Sequence, residues 1–418
     1  MKIEILITGD EIRTGAAIDT NSTDIARVLL ENGFSVMRHS CVGDNMDDMV
    51  SILHEIGGRA DAAIVTGGLG PTSDDISAMA GAKSVGMDLT LNLPALESME
   101  RYFRTRQRSM PESNKKQAML PQGAEPIFNP LGTAPGFVLK IDGCEFFFLP
   151  GVPIEMHKML SEFVLPRLIT LRGSDTEFNI TKTISTFGLT ESAAAEKVAG
   201  ISGMLREITL GFRAKFPEIQ IKLYGRGKDK DTLYHNIAKA AEAVSDKIGE
   251  YVFSMDGSPM EAVVGRLLFE KKATLAVAES CTGGLISHLL TNVPGSSNYF
   301  LFSGVTYSNA AKQKILEVSP DTIERFGAVH EETAKEMAAG VRRIAGSDYG
   351  LATSGIAGPD GGTDEKPVGV VCIGLADRES ARGFRFFYPF NSRSRNKKIF
   401  AVKALDMLRR QLIVKAES

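Results

Sequence analysis

Three short stretches of this 418-residue chain carry the residue types that chemistry needs. The first is Ala278-Glu279-Ser280-Cys281-Thr282-Gly283-Gly284, entered from the strand-like run Leu275 to Ala278. Ser280 therefore stands where a strand turns into a helix. Unpaired N–H groups and partial positive charge gather at a helix N-terminus. N–H groups near Thr282 and Gly283 could hold the oxyanion of an acyl-transfer intermediate. The stretch is not a G-x-S-x-G elbow, because Ala278 and Thr282 replace both glycines. A serine at such a turn can equally cap the helix, so both roles are open. Cys281 is a competing nucleophile with no basic partner close in sequence.

A serine nucleophile needs a base. His288 falls about two turns into the same predicted helix, and His330 lies in a loop-like stretch. Lysine is the other option. In Thr306-Tyr307-Ser308-Asn309-Ala310-Ala311-Lys312, Tyr307 stands at a strand end and Lys312 about one helical turn later. A buried lysine can lose its proton near neutral pH, and Tyr307 could relay or orient that proton. The run Ser354-Gly355-Ile356-Ala357-Gly358-Pro359-Asp360-Gly361-Gly362-Thr363 follows another strand. Backbone N–H groups of such a loop can cradle phosphate or ribose. Arg393 and Arg395 open the last helical region and could clamp a phosphate. Together with Ser280, these features suggest an anionic small substrate.

Another constellation sits near the N-terminus. Gly67-Gly68-Leu69-Gly70-Pro71-Thr72 precedes Asp74-Asp75. Glycines and a threonine suit a phosphate, and paired carboxylates suit a hard divalent cation. The pattern is neither GxxxxGK[ST] nor GxGxxG. Asp10, Glu11 and Asp44 fall on loops at the ends of neighbouring predicted strands. The arginines at 101, 104, 106 and 108 form a basic run of the kind that usually coats a solvated face.

The elements that must position these residues alternate between strands and helices. Ile3 to Thr8, Ser35 to Val42 and Ala62 to Thr66 read as strands, with helical spacing over Thr20 to Asn32 and from Met46 to Leu53. That alternation predicts βαβ units in a mainly parallel, doubly wound α/β sheet, with ligands at the carboxyl ends of its strands. Residues 170–255 mix β-like runs with helical ones and read as a small α+β domain. A third unit, also α/β, starts near Ser258-Pro259-Met260-Glu261, where Ser258 reads as an N-cap and Pro259 as the first helical residue. The expected domains are therefore 1–169, 170–255 and 256–418.

Composition limits the partners. Lys plus Arg is 48 against 51 for Asp plus Glu, a net charge of −3, which does not mark nucleic acid or an anionic membrane as the main partner. No apolar run reaches the ~18 residues that would span a bilayer. The N-terminus lacks the apolar stretch of a signal peptide. Four scattered cysteines without metal-ligand spacing read as reduced thiols, so a cytoplasmic location is expected.

These residues resemble the CinA (competence/damage-inducible protein) family. In the first unit the matching stretches are Gly9-Asp10-Glu11 with Gly15, Asp19-Thr20-Asn21, and Gly67 to Asp75. Asn114 to Ala118, Asn129 to Gly136, and Leu149 to Pro153 with Glu155-Met156 extend the match. One departure is Ile12-Arg13, where the family usually carries an apolar pair. In the third unit Ala278 to Gly284, Val305 to Lys312, Ser354 to Thr363 and Lys366 to Gly369 match. The resemblance implies a molybdopterin-binding-like N-terminal domain and a C-terminal nicotinamide mononucleotide (NMN) deamidase domain. It places the catalytic serine, tyrosine and lysine on Ser280, Tyr307 and Lys312. Thr282, Gly283, Ser354, Gly355, Gly358 and Arg393 then serve the oxyanion and the substrate, with no cofactor. The first domain is expected to bind a nucleotide through Gly67, Gly68, Gly70, Thr72, Asn114, Gln117 and Gly151. A divalent cation is expected there on Asp10, Glu11, Asp44, Asp74 and Asp75, with ADP-ribose hydrolysis as a second activity. A homodimer is expected. The competing class is a non-catalytic pterin- or nucleotide-binding protein linked to competence.

Overall fold

The computed structural model describes residues 1–173, 178–204 and 208–414. The chain divides into two compact units. One holds residues 1–181 with 225–235, and the other residues 182–224 with 236–418.

The first unit is built on β1 (Ile3–Thr8), β2 (Val36–Val42) and β3 (Ala62–Thr66). β1 lies between the other two and is parallel to both. β1 and β3 are buried along their whole length, as expected of a parallel sheet covered on both faces. Helices Asn21–Glu31 and Met46–Gly57 supply the crossovers. Asn45 caps the second, accepting from the N–H groups of Asp47 and Asp48. β4 (Leu89–Leu91) and β5 (Met119–Pro121) form a separate antiparallel pair. β6 (Glu125–Ile127), β7 (Gly136–Ile141) and β8 (Cys144–Leu149) complete the main sheet, in the order β2-β1-β3-β8-β7-β6. β8 joins parallel to β3, whereas β7 and β6 run antiparallel. The β7–β8 turn is Asp142-Gly143, with φ of 49° and 97°. An Asp-Gly pair with both φ positive fits a tight hairpin.

β9 (Phe178–Phe187), β10 (Ile208–Lys215), β11 (Glu218–Gly227) and β12 (Val252–Ser254) make a second sheet in the order β10-β11-β9-β12. β10 and β11 are joined by Phe216-Pro217 alone.

The last sheet combines β13 (Leu275–Glu279), β14 (Phe300–Val305), β15 (Tyr349–Gly355), β16 (Val370–Ala376) and β17 (Ala381–Phe387). Its order is β14-β13-β15-β16-β17. The first three strands are mutually parallel and the last two pairings antiparallel. Helices Met260–Glu270 and Arg393–Val414 pack with one face of the sheet in a common core. Helix Glu331–Ala345 covers the other. No helix among the described residues is long and apolar enough to cross a membrane.

The start of the third unit departs from the sequence expectation. Ser258 does not cap: its N–H turns back to Asp256 Oδ1 at 2.9 Å. The helix begins one residue later, at Met260. Its first N–H bonds the buried Glu218 carboxylate, supplied by another strand, so a tertiary acceptor displaces the local one.

Helix Glu331–Ala345 sits on its sheet unusually closely. A Cβ added to Gly350, Gly374 or Gly383 would lie 2.1, 1.8 or 2.1 Å from the carbonyl oxygens of Ala338, Ala334 and Glu331 respectively. Those glycines occupy adjacent strands, so successive helical turns rest on bare backbone. Gly374→Ala should destabilise the protein by about 2–3 kcal/mol, the usual cost of overpacking, read from the urea midpoint of this unit. An unchanged midpoint would show that the helix is not seated there.

Candidate active site and nucleotide cavity

The register of β13 on β14 brings the chemistry together. Glu279 pairs with Val305, so Ser280 and Thr306 leave the sheet side by side at its carboxyl edge. Ser308 caps the helix Asn309–Leu316 through the Ala311 N–H. That helix returns Lys312 beneath the strand end. Lys312 is fully buried and Ser280 is 8% exposed. Lys312 Nζ lies 3.1 Å from Ser280 Oγ, 2.9 Å from the Thr306 carbonyl and 3.0 Å from the Tyr307 carbonyl. As an ammonium, its three donors find three acceptors. As an amine, two N–H groups keep the carbonyls while the lone pair accepts the serine proton. Burial pushes the lysine below its ordinary value, with the Cys281 thiol acting weakly the other way.

Ser280 is fixed by its own N–H, which donates to the Thr353 carbonyl at 2.9 Å. Thr282 is buried, with its hydroxyl 2.7 Å from that of Thr353. The oxyanion arrangement differs from the sequence expectation. Glu279, fully buried, accepts from the N–H groups of Gly284, Ile286 and Ser287 and from the Ser287 hydroxyl. It thereby takes the helix-terminal donors that the sequence reading left free. The Gly283 N–H turns to the Ser280 carbonyl. Among the described residues neither the Cys281 nor the Thr282 N–H has a backbone acceptor, and the Thr282 N–H, expected from sequence, is among the donors left for an oxyanion.

Several expected residues are otherwise engaged. The Ser354 hydroxyl donates to the Ala328 carbonyl at 2.6 Å. Gly355 lies beneath Cys281, whose sulfur would stand 3.2 Å from an added Cβ. Arg393 donates to the Gly358 carbonyl at 2.8 Å and to the Tyr307 hydroxyl at 3.1 Å. Tyr307 is 59% exposed, so only its carbonyl touches Lys312, and its hydroxyl belongs to the mouth. Arg395 turns to aromatic rings instead of joining Arg393. His330 Nδ1 accepts from the Glu332 N–H and caps its helix, so it is no base for Ser280. Sequence reading missed two structural partners. Glu279 carried no local signal beyond standing next to Ser280. Asn396, fully buried, donates to the carbonyls of Ala357 and Phe390.

In the first unit a cavity of about 560 Å³ opens at the carboxyl ends of the strands. Gly67, Gly68, Gly70, Gln117 and Gly151 line it, while Thr72 and Asn114 do not. Gly67 has φ 110°, and a Cβ there would strike the Thr8 carbonyl at 2.5 Å. Thr72 instead donates its N–H to Asp75 at 2.9 Å. Asn114 donates to Gln117, which in turn donates to the Leu69 carbonyl. The floor was not assigned from sequence: Asn21 donates to Thr66 Oγ1 and the Gly151 carbonyl, and Thr66 donates to the Pro150 carbonyl.

The acidic residues at this cavity do not close into a cage. Glu11, Asp44, Asp74 and Asp75 line it, but Asp10 pairs with Arg13 at 2.9 Å outside it. Asp44 accepts from the Asp10 N–H at 3.0 Å. Burial pushes Asp44 up, and the charges of Asp10, Glu11 and Asp74 add to that against the N–H bond. Among the described residues no three His, Cys, Asp or Glu side chains gather to hold a metal ion.

Comparison with known proteins gives the family. Residues 4–170 match the model described as a probable molybdopterin binding domain, 181–254 the damage-inducible protein CinA KH domain, and 257–412 the CinA C-terminal domain. A CinA-like protein of Desulfosudis oleivorans is 52% identical over 99% of this chain and 100% of its own length. The chain belongs to the CinA family. A CinA-like protein of Geobacter metallireducens is 42% identical over 99% of this chain and 100% of its own. A solved structure of the competence/damage-inducible protein CihA from Agrobacterium tumefaciens is 35% identical. It covers 36% of this chain and 94% of its own, with a TM-score of 0.35.

In this CinA-family chain the rival nucleophile is disarmed. Burial pushes the Cys281 thiol up to about 12, and only the thiolate is a strong nucleophile. Of the four cysteines only Cys41 is exposed. Iodoacetamide at pH 8 should label Cys41 and leave Cys281 unmodified, as read by peptide mass spectrometry. Rapid labelling of Cys281 in the folded protein would reopen its candidacy.

Proposed function

We propose that the chain hydrolyses the carboxamide of nicotinamide mononucleotide, giving nicotinate mononucleotide and ammonia. The observation that carries this reading is the fully buried Lys312 amine 3.1 Å from Ser280 Oγ, with no carboxylate among its hydrogen-bond partners. Such a lysine is suited to be a base. In the proposed reaction Ser280 Oγ attacks the carboxamide carbon while its proton passes to Lys312. The Thr282 N–H meets the oxyanion. The tetrahedral intermediate then collapses, the lysine proton returns to the departing nitrogen, and ammonia leaves an acyl-serine ester. Water, deprotonated by the same amine, attacks the ester and releases the carboxylate. Arg393 is assigned to the substrate phosphate. Tyr307, whose hydroxyl bonds Arg393 and not Lys312, is assigned to seating the substrate rather than to the proton transfer expected from sequence.

Ser280→Ala and Lys312→Met should each lower ammonia release from NMN by at least about 10³-fold, the scale of losing a nucleophile or its base. Lys312→Arg should fail equally, because a guanidinium does not deprotonate. The sign of the pH dependence follows from the amine being the active form. Rate should fall as acid protonates Lys312, with the limb centred below the ordinary lysine value. Full turnover by Lys312→Arg sinks the assignment.

For the first domain, 1–169, the proposed activity is hydrolysis of ADP-ribose with a divalent cation. The cavity supports nucleotide binding through its glycine wall. It also holds six carboxylates, Glu11, Asp19, Asp44, Asp74, Asp75 and Glu155, and neither lysine nor arginine lines it. A diphosphate entering alone would meet that repulsion. A magnesium-like ion commonly takes one or two protein carboxylates and completes its shell with phosphate and water, and Glu11 and Asp44 are the residues proposed to face it. ADP-ribose cleavage should stop with chelator and weaken at least about tenfold in Asp44→Asn. Cleavage indifferent to chelator would remove the cation from the reading.

A further inference from the structure

Arg395 is left unused by the reaction just derived, although it lies two residues beyond Arg393. Its guanidinium lies against two neighbouring rings, 4.4 Å from the centroid of Phe216 and 4.7 Å from that of Phe390. The rings themselves meet edge to face, with centroids 5.2 Å apart at 88°. Phe390 lies just before the helix Arg393–Val414. Phe216 is the tip of the β10–β11 hairpin, and both rings pack against the core of this unit. Beside the hairpin lies an open cavity of about 430 Å³, lined by Phe216 itself with Pro217, Leu285, Leu289 and Val402. The Phe216–Arg395 contact therefore borders an open space.

The turn that carries Arg395 also builds the mouth of the carboxamide site. Arg393 reaches Gly358 and the Tyr307 hydroxyl. Asn396, one residue beyond Arg395, reaches Ala357 and Phe390. One helical turn thus ties Tyr307 to the glycine-rich loop, and a ring from a distant hairpin grips its other side. A guanidinium over aromatic rings gains cation–π attraction as well as van der Waals contact. An aliphatic neighbour would supply the contact without that attraction.

We propose that Phe216 is a positioning residue for the carboxamide site. By clamping Arg395 against Phe390 it fixes the first turn of the last helix, and through Arg393 it sets how tightly an anionic nucleotide is held. The catalytic consequence rests on the deamidase reading; the mechanical one does not.

The full-length protein carrying Phe216→Ala, Phe216→Tyr or Arg395→Gln separates the two. Amide hydrogen exchange across residues 355–362 and 388–397 should quicken about tenfold in Phe216→Ala and Arg395→Gln. It should stay at the parental rate in Phe216→Tyr and, in every variant, across residues 275–279. With NMN as substrate, KM should rise about tenfold in the two disruptive variants while kcat changes less than about threefold. Unchanged exchange in a folded Phe216→Ala overturns the clamp. A fall in kcat at constant KM overturns its role in holding the nucleotide. Should Phe216→Ala not fold, Arg395→Gln, which leaves the hairpin intact, decides by the same two readouts. If the parental protein releases no ammonia from NMN, the deamidase reading fails and the exchange comparison alone decides the clamp.

Discussion

A lysine amine enclosed in protein with only neutral oxygens for partners is the constraint on which the C-terminal site depends. Removing an ammonium from water costs several kcal/mol unless the surroundings replace its hydration. Here the replacement is partial: two carbonyls and one hydroxyl, with no carboxylate. A carboxylate would have secured the charge and removed the basicity. The carbonyls of Thr306 and Tyr307 hold the nitrogen in place without pinning its proton. This needs two strand ends in contact, because Ser280 leaves β13 and the carbonyls follow β14. The parallel register that sets Glu279 opposite Val305 is thus the geometric condition for the pair.

Glu279 then resolves a conflict at the same strand end. A helix starting just past a nucleophile presents several free donors, which an unregulated loop could turn in any direction. The buried carboxylate collects three of those N–H groups and one hydroxyl. Hydrogen bonds to a charged acceptor are worth ~1.5–3 kcal/mol each, enough to fix the loop in one shape. The cost is electrostatic, since a negative charge now offsets the positive end of the helix near Ser280. On the proposed reading, oxyanion stabilisation would rest on oriented N–H groups of the turn, Thr282 among them, and not on the helix field as a whole.

Much of this was legible from local pattern. Strand and helix alternation located β1, β2, β3 and β13 within a residue or two, because period and punctuation are local properties. Ser280 stood out by type, Lys312 was one open option that the family resemblance singled out, and the helix spacing after Tyr307 was right. The burial of Lys312 was not legible, since Asn309 to Gln313 reads as an ordinary polar helix start and the elements around it come from elsewhere in the chain. Long-range acceptors were equally hidden. Glu218 meets the N-terminus of helix Met260–Glu270 and moves its start past Ser258. The β7–β8 hairpin was missed although Asp142-Gly143 is a strong turn signal, which was a failure of reading and not of information. Of the five acidic residues grouped from sequence, Glu11, Asp44, Asp74 and Asp75 line one cavity, but sequence spacing does not report convergence, and Asp10 turned instead to Arg13.

The two sites present opposite charge to a ligand. In the C-terminal unit Arg393 stands at the mouth, tied to the Tyr307 hydroxyl and the Gly358 carbonyl, so a monophosphate can be met by a fixed cation of the chain. In the N-terminal unit the cavity wall offers glycine backbone, threonine hydroxyls and six carboxylates. Burial raises Asp44 above its ordinary value, and the neighbouring charges of Asp10, Glu11 and Asp74 add to the rise. An anionic ligand there must bring its own neutralisation or bind through its uncharged parts. Asn21 belongs to the floor beneath such a ligand, its amide nitrogen spent on Thr66 and Gly151. On the proposed reading a cavity so constructed would discriminate by hydrogen-bond pattern first and by charge only through a counter-ion, whereas the mouth at Arg393 would discriminate by charge directly.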